Sequence, residues 1–208
     1  MVDAGLIYWE MGKKEQGIAW YRKAAELGNP TGQCNLGISY LQDVNCAADP
    51  PNTKEAIAWL YKASVAGHVR AQYQLALCWH QGRVLNQNVQ EAARWYLRAA
   101  EGGYVRAMYN TSLGYSFGEG LVQSQRLARQ WMKKAADRGH SKAQFEHGLG
   151  VFSEGEMMKA VIYLKLATRA GETAAAHVKN VIVQQLSTIS HDRAMHLANN
   201  WHAIPSTR

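Results

Sequence analysis

Arg70, Arg106 and Lys142 stand 36 residues apart, and each is followed three positions on by a ring, Tyr73, Tyr109 and Phe145, and seven positions on by Leu77, Leu113 and Leu149. Offsets of 0, 3 and 7 share one face of an α-helix. A cation beside a ring and an aliphatic side chain, repeated at a fixed interval, suits an extended peptide that carries acidic groups. The cation offers charge-assisted donors, planar ones in the case of Arg, and the ring offers apolar area with little rotamer entropy to lose. The rings have a second reading as packing, since aromatic residues at helical spacing are commonly buried. The two readings share the basic column and differ in which way the rings face.

Other residue types that could do chemistry do not assemble into a site. The eight histidines are dispersed, His191, His196 and His202 lack a ligand-like i, i+4 spacing, and HExxH is absent. Gly118-x-Gly120 lacks the GxxxxGK[ST] frame of a phosphate loop and reads as a turn. Cys34, Cys46 and Cys78 form neither a CxxC nor a Cys/His cluster, and three thiols cannot all pair within the chain. Reduced thiols in an intracellular compartment, cytoplasm or nucleus, are the simpler reading. With no nucleophile beside a base and no matched carboxylates, the sequence predicts a protein that is not an enzyme, with no catalytic residue, no metal and no cofactor.

The formal charge of +7 admits an acidic partner or nucleic acid without requiring either. No apolar run approaches the ~20 residues of a membrane helix, so a membrane span is not expected. The opening MVDAGLIYWEMGKK lacks a basic start and a long apolar core, and does not read as a secretory signal.

The elements that must position the basic column are written repeatedly. WYRKAAELG ends at Gly28, WLYKASVAG at Gly67, WYLRAAEGG at Gly103, WMKKAADRG at Gly139 and a decayed YLKLATRAG at Gly171, at intervals of 39, 36, 36 and 32 residues. A period of this length is that of a helix-turn-helix unit in a stacked array. Within each copy Trp is followed by small residues one turn on, so Trp20, Trp59, Trp95 and Trp131 read as filler over the alanines, and the closing glycine as the stop of the helix. The first helix of each unit opens on a small residue, Gly32, Ala71, Ala107 or Ala143, which lets neighbouring helices approach closely. Turns are expected at Gly82, at Gly118 and Gly120 and at Gly155, with one longer loop from Asp43 to Asn52 holding Pro50 and Pro51. After Gly171 the pattern stops, and Glu172 to Leu186 and Asp192 to Trp201 read as two further helices that cap the last apolar face.

The LGxxY of the first helix and the WYxKAAxxG of the second resemble Sel-one-like repeats, relatives of the tetratricopeptide class, over about residues 4 to 171. The resemblance implies an all-α fold, a right-handed α-solenoid of helix-turn-helix units with a C-terminal helical cap. Residues 1–171 would hold five repeats, the first one clipped, 172–204 the cap and 205–208 a tail. It also implies a non-enzymatic adaptor whose concave face, lined by the Arg70, Arg106 and Lys142 column with its rings and leucines, binds a protein or peptide ligand carrying acidic groups. GHVRAQYQLALC from Gly67, AEGGYVRAMYNTS from Ala100 and HVKNVIVQQL from His177 look more narrowly like plant F-box proteins with these repeats. That likeness implies an upstream F-box that recruits a ubiquitin-ligase core while the repeats hold the substrate. Since the chain begins partway into its first unit, Met1 is expected to be an internal start in a longer protein. The alternative function is a basic helical-repeat module that binds nucleic acid, one base per unit. Steep salt dependence would mark it.

Overall fold

Each copy of the WYxKAAxxG run becomes the second member of a pair of helices. The computed structural model describes residues 1–42, 52–82 and 85–205. Among these, twelve helices and no strand occur. They are α1 (Val2–Glu10), α2 (Lys14–Glu26), α3 (Pro30–Gln42), α4 (Thr53–Val65), α5 (Val69–Gln81) and α6 (Val89–Glu101). Then follow α7 (Val105–Phe117), α8 (Gln125–Asp137), α9 (Ser141–Ser153), α10 (Met157–Arg169), α11 (Thr173–Val183) and α12 (Thr188–Asn199). The helices group into two compact units, Met1–Tyr104 and Val105–Arg208. Most of the loop expected from Asp43 to Asn52, together with Cys46 and residues 206–208 of the tail, lies outside the described residues.

One local device joins second helix to first helix, and it explains why the Ala-Ala-x-x-Gly spacing recurs. At the end of α2 the Gly28 N–H donates to Ala25 O and the Asn29 N–H to Ala24 O, both at 3.0 Å. The same pair of bonds recurs at Gly67 and His68, Gly103 and Tyr104, Gly139 and His140, and Gly171 and Glu172. All five glycines are left-handed, with φ between 81° and 94°, which only glycine adopts without a Cβ penalty. The residue after the glycine then starts the next helix. Asn29 Oδ1 accepts from Gly32 N at 2.9 Å, His68 Nδ1 from Ala71 N at 3.2 Å and His140 Nδ1 from Ala143 N at 3.3 Å. A single residue therefore satisfies orphan groups at the end of one helix and the start of the next.

A buried glutamine strengthens the joint. Gln33 Nε2 donates to Ala25 O at 3.3 Å, Gln72 Nε2 to Ser64 O at 3.1 Å and Gln144 Nε2 to Ala136 O at 3.2 Å. The small residues pack where the two helices meet, with Ala24, Ala63, Ala71, Ala99, Ala135 and Ala143 all buried. At Gly32 a Cβ would lie 2.6 Å from Ala24 Cβ and 3.0 Å from backbone atoms.

The tryptophan is only part of the filler. Trp95 is buried, but Trp20, Trp59 and Trp131 are only half-buried, and each Trp ring carries the cation of the residue three positions on: Lys23 at 5.0 Å, Lys62 at 4.3 Å, Arg98 at 4.8 Å and Lys134 at 4.1 Å. The core position is the next residue: Tyr21, Leu60, Tyr96 and Leu164 are buried, and Met132 is half-buried. Three of the four rings expected as filler are thus half-buried amphipathic plates, Trp59 packing against the Tyr21 and Leu36 cluster, with a cation over each ring.

In the first unit α1 packs on α2, α2 on α3, α3 on α4, α4 on α5 and α5 on α6. Tyr21, Ala25, Leu36, Tyr40 and Ala56 form one cluster, and Cys34, Leu60, Ala63, Ala71 and Cys78 another. Burial pushes both thiols up, to about 11, which keeps them protonated and unreactive. In the second unit α7, α8, α9, α10 and α11 pack in chain order, and α12 returns to lie on α10. Val161, Leu164, Ala175, Ile182 and Ala194 make its core. The last helix starts at Thr188, four residues before the expected Asp192, because Ser187 Oγ accepts from Ser190 N at 3.3 Å and starts it there.

Candidate functional site

The basic column lies on first helices of the pairs. In the first unit Arg70 is exposed at the start of α5, with Nη1 3.5 Å from Asn35 Oδ1 of α3, while Tyr73 and Leu77 are half-buried. The Tyr73 ring lies 5.7 Å from that of Tyr96 and 4.8 Å from that of Tyr104. In the second unit Arg106 and Lys142 are exposed near the N-termini of α7 and α9. Tyr109 is half-buried, stacks on His140 at 4.6 Å with an 18° interplanar angle, and donates its hydroxyl to Glu146 Oε1 at 2.6 Å. Phe145 is half-buried against the core of this unit, Leu113 is half-buried and Leu149 is 36% exposed. The cations therefore face solvent, while each ring has one face engaged within its own unit.

Electrostatics follow from this packing. Burial, and then the hydrogen bond to Glu146, raise the Tyr109 phenol above its ordinary value, so it donates at all physiological pH. Burial holds His140 below the ordinary imidazole value, and the neighbouring Arg106 and Lys142 push it the same way. The neutral ring is the form that can accept the Ala143 N–H and lie flat on Tyr109. His147, whose ring meets Tyr163 edge-on at 4.6 Å, is lowered by burial and then by Lys133.

Leu113 opens onto a feature that reading the column did not reveal. Between α7, α8 and α9 lies a groove of about 390 Å³. Its apolar lining includes Leu113, Met132 and Val151, and Phe117, 68% exposed, stands at its edge. Arg129 and Lys133 line it from α8, and Glu146 and His147 from α9. Arg129 Nη1 bonds Glu154 Oε1 at 2.9 Å, joining the two sides, and Lys133 Nζ bonds Asp137 Oδ2 at 2.5 Å. Asp137 Oδ1 accepts from the Tyr163 hydroxyl at 2.7 Å. The signal that could have located the groove is a register comparison of the thirteen-residue helices. Where α3, α4 and α5 carry Leu41, Ile57 and Cys78, the equivalent positions of α7, α8 and α9 carry Ser116, Arg129 and Gly150.

No group of three or more His, Cys, Asp or Glu residues with metal-binding placement occurs among the described residues. Ser112 Oγ is turned to Tyr109 O at 2.7 Å and not to a base. No helix among the described residues is long and apolar enough to cross a membrane.

A chain in which one joint and one helix pair recur to make a surface is a repeat scaffold, and the Sel1 repeat family model matches it at residues 12–29, 30–68, 69–104, 105–140 and 143–172. The chain belongs to the Sel1 repeat family, whose members are all-α solenoids and protein-interaction scaffolds. Over its full length it is 66% identical to an F-box protein of Arabidopsis thaliana, and it spans 59% of that relative's length. Among solved structures it is similar to a protective antigen of uropathogenic Escherichia coli with an SLR fold, at 25% identity and a TM-score of 0.75, covering 96% of this chain and 44% of that one. It is equally similar in fold to a Sel1 repeat protein from Oxalobacter formigenes, at 23% identity and a TM-score of 0.75, covering 98% of this chain and 86% of the other.

Proposed function

We propose that this chain is a non-enzymatic recognition scaffold, the partner-binding region of an F-box-type ubiquitin-ligase subunit. The observation that carries the reading is the 66% identity to an F-box protein along the whole chain, joined to the exposed Arg70, Arg106 and Lys142. Its partner is a protein segment held on first helices of the second unit, where Arg106 and Leu113, and Lys142 and Leu149, supply cations and apolar area; Arg70 and Leu77 offer the same pair of groups within the first unit. In this reading α11 and α12 close the array, the F-box lies upstream in a longer protein, and the compartment is cytoplasm or nucleus.

The test is capture of partners from native extract by tagged wild type and by an Arg70→Ala, Arg106→Ala, Lys142→Ala triple variant. Prey that includes a ubiquitin-ligase core subunit only when the full-length protein is the bait, and that loses its other members in the triple variant, is the expected outcome. Identical prey with both baits would remove the basic column from the binding surface. A salt titration separates the nucleic-acid alternative, because a phosphate-bound complex weakens steeply with log salt.

A further inference from the structure

The positive charge of this protein is not spread along it. Residues 105–208 hold thirteen Lys and Arg against seven Asp and Glu, whereas residues 1–104 hold ten against nine. The excess of +6 falls on the unit that contains the groove, against +1 on the other. The groove's volume lies in the ~300–1,000 Å³ range of ligand sites, and its apolar floor beside an exposed Phe117 matches the usual make-up of such sites.

The charged groups around it are not equally available. Glu146 is held by the Tyr109 hydroxyl at 2.6 Å. Lys133 is held by Asp137, whose second oxygen accepts from Tyr163. The pair between Arg129 and Glu154 is different, because its side chains are 75% and 49% exposed and it joins α8 to the residue that ends α9, across the groove. An exposed ion pair is weak in water and readily exchanged. A guanidinium there can trade Glu154 for a carboxylate on a ligand with little loss, and it offers a second N–H for a bidentate contact. A cationic ligand reaching for Glu154 would enter the unit that carries +6, against its field.

We propose that the α7, α8 and α9 groove binds an acidic peptide segment, an apolar side chain entering over Leu113, Met132 and Val151 and an adjacent Asp or Glu displacing Glu154 from Arg129. This deepens the scaffold reading above and rests on it. Glu154 is then an internal competitor, so its loss strengthens binding, the opposite of what an ordinary contact residue does.

The probe is an array of nine-residue peptides with a central Phe, Leu or Trp flanked by Glu and Asp, beside counterparts with Lys and Arg in the flanks and a single-stranded oligonucleotide. Wild type should retain the acidic peptides over the basic ones, Glu154→Gln should tighten the acidic set by roughly threefold or more, and Arg129→Ala should weaken it by ~tenfold, the range of a charge-assisted contact at an interface. The double swap Arg129→Glu, Glu154→Arg keeps an ion pair across the groove, guards against loss of fold, and should invert the preference toward basic peptides. No acidic preference in wild type, an unchanged preference in the swap, or a signal confined to the oligonucleotide overturns the proposal. Should the array fail while the triple variant still loses its native prey, the groove falls and the scaffold reading stands.

Discussion

The same helix pair is built two ways in this chain. Around α3, α4 and α5, Ile38, Leu41 and Ile57 pack onto buried Cys34, Leu60 and Cys78, so that these positions are closed by apolar side chains. Around α7, α8 and α9, the positions of Leu41, Ile57 and Cys78 are Ser116, Arg129 and Gly150, and a groove opens. The difference extends below the surface. Leu36 and Leu75 are fully buried, whereas their equivalents are Thr111, buried with a hydroxyl that has no hydrogen-bond partner among the described residues, and His147. The joint between helices, with its left-handed glycine and its capping residue, is the same in both. An array of this kind can therefore keep its backbone device while giving up side-chain packing around α7, α8 and α9, where a groove opens.

That contrast can be broken by mutation. The largest effect is expected at Leu60→Ala, which removes a fully buried side chain and should cost about 2–5 kcal/mol, against about 1 kcal/mol for Met132→Ala at the equivalent half-buried position. Urea unfolding of the two variants measures the gap, and equal losses would mean the two copies are packed alike. Next comes conversion of the open copy into the closed one. Ser116→Leu, Arg129→Ile and Gly150→Cys together should raise stability by about 1–2 kcal/mol, as cavity filling commonly does, while abolishing capture of acidic peptides. A variant that gains stability and still binds would separate the groove from recognition. Thr111→Val, nearly the same shape without the orphaned hydroxyl, should stabilise by about 1 kcal/mol in the same assay.

The smallest effect is a pH dependence. His140 and His147 in the second unit and His68 in the first are all held below the ordinary value, chiefly by burial. Each is neutral when folded and takes up a proton more readily when unfolded. Its contribution is therefore complete above about pH 6.5, the unperturbed value, and is lost as pH falls through the lowered folded value. Urea midpoints should drop on acidification below neutrality. His140→Asn, which copies the cap that Asn29 provides to α3, should flatten part of that drop without loss at pH 7.5. An unchanged slope would show that His140 is not buried in its neutral form.

The recurrence of Trp, Ala-Ala and Gly made the helix pairs legible, because each residue type answers a backbone or spacing requirement that repeats. The identity of the filler was not legible. Trp20, Trp59 and Trp131 are the largest side chains in the pattern, yet the rotation of the helix puts the next residue inward and leaves these rings under a cation. The Gln33, Gln72 and Gln144 bonds were hidden for a different reason, since a glutamine at helical spacing reads as surface until a carbonyl is known to await it. The basic column could be read by counting, but the groove could not, because it is made by what Ser116 and Gly150 fail to fill. Absence of volume shows in a sequence only when one copy is laid against another.

The comparison is tested most directly by site-specific photo-cross-linking in cells, with a photoreactive phenylalanine placed at Leu113 in the open copy or at Ile38, its equivalent in the closed one. A discrete partner adduct from position 113 and none from position 38 is the expected result. Adducts of equal strength at both positions, or from position 38 alone, would contradict the assignment of recognition to the α7, α8 and α9 groove.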